Sequence, residues 1–137
     1  EEIQILHFSD FAKLNDDELT KIASWNGKSG NEKELIIWFA DHFKCPTVCI
    51  TRGTNGAILF INNLFYSNTG FQVNAIDTVG AGDSFLAGLV GQLSKNIPPE
   101  KALEFACATG AFVASQHGAV PNYSEKEINE IINSYKS

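Results

Sequence analysis

Apolar positions along the chain fall into short blocks whose internal spacing separates strands from helices. Near the start, Ile3, Ile5 and Phe8 suit the tail of a helix or an alternating strand equally well. Phe11-Ala12-Lys13-Leu14 reads as a short strand leading to Asn15. Asp16 and Asp17 then cap and open a helix that carries Leu19, Ile22 and Ala23. The polar stretch Gly27-Lys28-Ser29-Gly30-Asn31 is a loop, after which Leu35, Ile36, Phe39, Ala40 and Phe43 recur at helical spacing until Pro46 ends the run. Thr47-Val48-Cys49-Ile50-Thr51 has the apolar middle of a buried parallel strand. A second strand, Ala57-Ile58-Leu59-Phe60-Ile61, reaches Asn62-Asn63, a pair suited to a hairpin turn into Leu64-Phe65-Tyr66. Gln72-Val73-Asn74-Ala75-Ile76 alternates and delivers Asp77. Helices are predicted over 80–95, 99–115 and 124–135, with Pro98-Pro99 before the second and a Ser124/Glu127 capping box opening the third.

Strand–turn–helix units with apolar strands imply a three-layer α/β/α sandwich with a mostly parallel sheet and one β-hairpin. Ligands in such sheets sit beyond the carboxyl ends of the strands. A length of 137 residues with 44% hydrophobic and 19% charged residues fits one globular domain. The net charge of −6, with ten Lys and Arg that never cluster, argues against a nucleic-acid surface. Neither a leader pattern nor an apolar run of membrane-spanning length is seen, so no membrane partner is expected. Cys45, Cys49 and Cys107 are odd in number and lack Cys-x-x-Cys or nearby His spacing, which suits buried thiols in a reducing cytoplasm. His7 and His42 read as surface or helix-face residues, and Trp25, Trp38 and Phe112 as core aromatics.

The densest chemistry lies in Asp77-Thr78-Val79-Gly80-Ala81-Gly82-Asp83-Ser84-Phe85. Glycine tolerates the dihedrals that point successive amides one way, and the amides opening a helix lack intrahelical acceptors. With the positive end of the helix dipole they form an anion seat, and Asp83 stands at its edge. A phosphate seat beside a carboxylate base is what phosphoryl transfer to a hydroxyl requires. The plain alternatives are a tight strand-to-helix turn and an acid that merely favours the dipole. Asn15 and Glu18 have a plain reading as well, the cap and third residue of a capping box. Thr51, Gly53 and Gly56 could form an ordinary glycine-rich turn. That turn leads into a strand and lacks a Lys-Ser/Thr pair, which excludes a Rossmann or P-loop site. The small residues Ala106-Cys107-Ala108-Thr109-Gly110-Ala111 suit either close approach of an adenine or tight helix packing.

Asp-Thr-x-Gly-Ala-Gly-Asp-Ser-Phe resembles the C-terminal signature of the PfkB, ribokinase-like carbohydrate kinases, of a fructokinase-type member in particular. Asn15-Asp16-Asp17-Glu18 is similar to the family's Asn-x-x-Glu element, and Thr51-Arg52-Gly53-Thr54-Asn55-Gly56 to its Thr-x-Gly-x-x-Gly turn. The resemblance implies a ribokinase-like fold and transfer of the ATP γ-phosphoryl to a sugar hydroxyl, with fructose the expected sugar. By position, Gly80, Ala81 and Gly82 would form the anion hole and Asp83 the base. Asn15 and Glu18 would organise Mg²⁺ and phosphates, and Thr51, Gly53 and Gly56 would cradle the nucleotide. Asp77 and Val79, with Val113, Gln116, Gly118 and Asn122, would hold a K⁺ ion, and His117 would lie near it. The family's glycine pair, sugar-contacting residues and lid have no counterpart here. Residues 1–137 are therefore expected to be the C-terminal nucleotide-binding portion of a longer kinase, whose homodimer would form through that lid. A catalytically silent nucleotide-binding or regulatory module is the alternative.

Overall fold

The computed structural model describes residues 6–8, 10–71, 80–116 and 124–136. They form two compact units, Glu1–Gly53 with Ala57–Tyr66, and Thr54–Gly56 with Ser67–Ser137.

The first unit is built on a sheet. Its strands are β1 (Leu6–Phe8), β2 (Phe11–Asn15), β3 (Thr47–Thr51), β4 (Ala57–Ile61) and β5 (Leu64–Asn68), hydrogen-bonded side by side in chain order. The start of the chain therefore enters as a strand over Leu6–Phe8, while Ile3 and Ile5 lie outside the described residues. β2 and β3 run parallel, joined through α1 (Asp16–Trp25) and α2 (Glu32–His42), whereas β1–β2 and β3–β4 are antiparallel. The sheet is thus mixed, and the expectation of mostly parallel pairing narrows among these strands to β2–β3. Asn62 and Asn63 carry φ of 54° and 61° between β4 and β5, the left-handed pair that a two-residue hairpin demands. Asn63→Gly is accordingly expected to stabilise the protein by up to about 1 kcal/mol, read as a higher denaturation midpoint with unchanged slope.

Register sorts the strand residues onto two faces. Ala12 pairs with Val48 and Leu14 with Ile50, and Val48 and Ile50 pair in turn with Phe60 and Ile58. These six residues form one apolar core with Leu19, Ile22 and Ala23 of α1 and Leu35, Ile36 and Phe39 of α2. Cys49, Leu59 and Ala57 point to the other face and are fully buried too, as in the layered sheets of α/β proteins. Two expected core positions fall outside this packing. Trp25 is 69% exposed because it ends α1 off the stripe set by Leu19, Ile22 and Ala23. Phe43 caps α2 and is 41% exposed. Trp38 is partly buried against the core and stacks on His42 at 5.1 Å.

The second unit carries three helices among its described residues, α3 (Ala81–Ser94), α4 (Pro99–Ala114) and α5 (Glu125–Lys136). A Cβ on Gly88 would lie 3.4 Å from Thr109 Oγ1 and 3.5 Å from Phe105, and one on Gly110 would lie 3.4 Å from the Ala81 carbonyl. Those contacts pair the start of α3 with the end of α4, so the two helices run antiparallel. Ala106, Cys107, Ala108 and Thr109 are buried in α4, which answers the choice left open for this small-residue run in favour of helix packing. Burial pushes the Cys107 thiol up to about 12, and no disulfide joins Cys45, Cys49 and Cys107. α5 buries Ile128 and Ile132, and its Ser124/Glu127 box forms with bonds of 3.1 and 3.2 Å. The alternating segment 72–76 lies outside the described residues. Among them, no helix is long and apolar enough to cross a membrane.

Candidate active site

Gly80 is the N-cap of α3, with φ 81° and ψ −8°, and, having no side chain, it makes no cap bond of its own. A Cβ at Gly80 would meet nothing within 4 Å, so the left-handed backbone rather than crowding calls for glycine. The first helical bond runs from Ser84 N–H to the Gly80 carbonyl at 2.9 Å. The amides of Ala81, Gly82 and Asp83 precede it and have no acceptor within the helix. An Asn, Asp or Ser at the cap would fold its own side chain over them, whereas glycine has none to fold. The helix end adds roughly half a positive charge. Asp83 is exposed in this first turn, next to those amides. The arrangement can receive an anionic group and present a carboxylate to whatever lies beside it.

Because α3 and α4 are antiparallel, the last turn of α4 lies at the same end of the helix pair. It carries Val113, buried, whose carbonyl accepts the Gln116 N–H at 3.1 Å, while Gln116 Nε2 donates to Ser115 Oγ at 3.3 Å. Asp77, Val79, His117, Gly118 and Asn122 lie outside the described residues, so the expected cation ligands are met here only by Val113 and Gln116.

The first unit gathers the other candidates at the carboxyl ends of β2 and β3. Asn15 pairs directly with Thr51 in the parallel register, and Thr51 Oγ1 donates to the Leu14 carbonyl at 3.4 Å. Asn15, rather than Asp16 or Asp17, caps α1, because β2 continues to residue 15 and the helix begins at once. Its Oδ1 accepts the Glu18 N–H at 2.8 Å, and Glu18 Oε1 accepts the Asn15 N–H at 2.7 Å. The plain capping-box reading is therefore realised, and the bond to Asn15 occupies Oε1 and leaves Oε2 outside the cap. Gly53 has φ 59° and begins a short 3₁₀ turn, Gly53–Asn55. Gly56 is accounted for by packing: a Cβ there would lie 1.8 Å from the Asn68 carbonyl oxygen.

Arg52, inside the Thr51–Gly56 turn, was given no role from the sequence. Its Nε donates to Glu32 Oε2 at 3.1 Å and its Nη2 to Glu32 Oε1, a two-pronged pair in which both side chains are about 70% buried. The Glu32 hydrogen bond raises the guanidinium's affinity for its proton, with lesser attraction from the charges of Glu32 and Asp16. An arginine inside a glycine turn, with an acid opening the preceding helix, was the available signal.

Among the described residues no three His, Cys, Asp or Glu come together to hold a metal by themselves. A cleft of about 280 Å³, lined by Gln92, Lys101, Glu104, Phe105 and Asn129 among others, opens toward the far end of α3. Gln92 is about 14 Å along that helix from Asp83, which places the cleft apart from the turn just described.

The profile of the pfkB family carbohydrate kinases matches residues 4–126. Fructokinase-2 of Oryza sativa subsp. japonica is 35% identical over 121 residues, covering 82% of this chain and 34% of its own. An ATP-dependent ribose-1-phosphate kinase of Halopiger xanaduensis is 34% identical over 96 residues, covering 65% of this chain and 32% of its own. A putative ribokinase II from E. coli, solved in complex with ATP and Mg²⁺, superposes with a TM-score of 0.79 at 22% identity, covering 91% of this chain and 39% of that one. The chain thus spans about a third of the length of the curated relatives it matches. The fold is α/β and ribokinase-like. With nearly all of its length inside the profile, the chain belongs to the PfkB family of carbohydrate kinases.

Proposed function

We propose that this chain is the C-terminal, nucleotide-binding portion of an ATP-dependent sugar kinase. The observation that carries this reading is the glycine-capped start of α3, with the amides of its first turn and Asp83 together. Asp83 accepts the proton of the sugar hydroxyl as its oxygen attacks the γ-phosphorus of ATP, and ADP leaves. The amides of Ala81, Gly82 and Asp83 take up the charge that develops on the transferring group, a preorganised arrangement of the kind worth a few kcal/mol per donor. Asn15, Thr51 and Gly53 line the nucleotide side at the carboxyl ends of β2 and β3. Magnesium, when bound, would supply charge compensation for the phosphates. The exposed Glu18 fits it, because the oxygen not used in the cap can accept from a metal-bound water. Val113 and Gln116, with Asp77, Val79, Gly118 and Asn122, are the proposed setting of a potassium ion, and activity indifferent to potassium would remove them.

Glu18→Gln separates the two roles of this residue, since glutamine also completes a capping box. The magnesium concentration for half-maximal activity is expected to rise several-fold while the melting temperature holds. An unchanged requirement would leave Glu18 a cap alone.

Fructose is the sugar we propose, on the likeness to the rice fructokinase. The similar identity to a ribose-1-phosphate kinase makes the acceptor the first thing to test. The reducing cytoplasm is the proposed compartment, on three buried thiols without a disulfide. A second reading is a silent nucleotide-binding module, which would bind ATP at the same turns without transfer. The deciding experiment is ADP release from the complete protein carrying this chain, with Mg²⁺, K⁺ and a panel of sugars. Release with one sugar supports the kinase, whereas ATP binding without release for any sugar supports the silent module.

A further inference from the structure

We infer that Arg52 is a positioning residue that fixes the nucleotide-side turn through its two-pronged bond to Glu32. The inference rests on the proposed nucleotide role of Thr51 and Gly53.

The chain leaves β3 at Thr51 and enters the left-handed Gly53 two residues later. A glycine at that point makes the turn adaptable, and strand pairing no longer constrains it. Arg52 supplies the missing constraint. Its guanidinium offers two parallel N–H donors to one carboxylate, a geometry that fixes orientation as well as distance. The carboxylate belongs to the first residue of α2, and that helix end is itself held by a second reciprocal box. Asn31 Oδ1 accepts the Glu34 N–H at 2.9 Å, and Glu34 Oε1 accepts the Asn31 N–H at 3.1 Å. The turn is therefore tied to a rigid anchor rather than to a loop.

The two nucleotide-side turns lie side by side at the carboxyl ends of β2 and β3. Asp16, next to the Asn15 cap, adds attraction to the Arg52 guanidinium. Thr51 and Asn15 are already register partners on the sheet. The spacing between the Asn15–Glu18 turn and the Thr51–Gly53 turn is thus held at the sheet by backbone pairing, and the second turn is tied beyond it by Arg52 to Glu32. A lysine could supply the charge but not the fork.

The test is steady-state kinetics of the complete protein with Arg52→Gln, Arg52→Lys, Glu32→Gln and the exchange Arg52→Glu/Glu32→Arg. The KM for ATP is expected to rise about tenfold in each of the three single variants, with kcat and the sugar KM within twofold of the parent. The exchange is expected to recover most of the loss. A purely structural role would instead lower the active fraction and scale kcat, leaving the ATP KM in place, and that result would overturn the inference. An ATP KM unchanged in Arg52→Gln and Glu32→Gln would overturn it as well. Failure of the parent protein to bind a fluorescent ADP analogue would reject the nucleotide-site reading itself, a result separate from any difference among variants.

Discussion

Asp83→Asn is expected to leave the protein folded and to lower phosphoryl transfer by about 10²–10⁴-fold, the contribution of a positioned base. The fold is spared because Asp83 is exposed and is not the cap, a position that Gly80 occupies. What the substitution removes from stability is a carboxylate near a helix dipole, on the order of 0.3–1 kcal/mol. The amides of Ala81, Gly82 and residue 83 survive it, so the phosphate seat persists and the KM for ATP should move little. Turnover and the melting temperature of the complete protein, measured on the same preparation, check both halves. A kcat within about tenfold of the parent would take the base assignment away from Asp83.

Gly56→Ala has the opposite signature, a loss of fold rather than of chemistry. The new Cβ would lie 1.8 Å from the Asn68 carbonyl oxygen and 2.6 Å from both Gly70 N and the Thr69 carbonyl carbon, all of them backbone atoms. Nothing flexible can swing aside, and φ of 84° adds left-handed strain. Overpacking and backbone strain each cost about 1–3 kcal/mol, so a loss of about 3 kcal/mol or more is expected. Gly80→Ala is the control, because its added Cβ meets nothing within 4 Å and only the left-handed φ of 81° opposes it. Its cost should stay near 1–2 kcal/mol, roughly. Chemical denaturation of the two variants side by side decides the matter. Equal midpoints would mean that the close approach at Gly56 is not rigid.

Elements whose identity depends on local pattern were legible from residues alone. β3 and β4 are unbroken apolar runs, the Asn62-Asn63 pair has the composition of a left-handed hairpin turn, and Ser124/Glu127 spells its own cap. The cap of α1 was less so, since Asn15, Asp16 and Asp17 are all good caps and strand pairing to Thr51 decided among them. Trp25 was misplaced because hydrophobicity was weighed above helical phase: it lies off the stripe of Leu19, Ile22 and Ala23. At the site, the Gly-Ala-Gly-Asp turn could be read because its chemistry is contiguous. The Arg52–Glu32 pair was signalled only indirectly, by an arginine in a glycine turn, because its partners are twenty residues apart in the chain.

Phosphorus NMR of the complete protein with ATP, Mg²⁺ and fructose is the most direct test of the central claim. The expected result is a new sugar phosphomonoester signal growing in step with ADP, absent from the Asp83→Asn protein. ADP accompanied only by inorganic phosphate, or a sugar phosphate formed equally well by Asp83→Asn, would contradict transfer from ATP to a sugar at this turn.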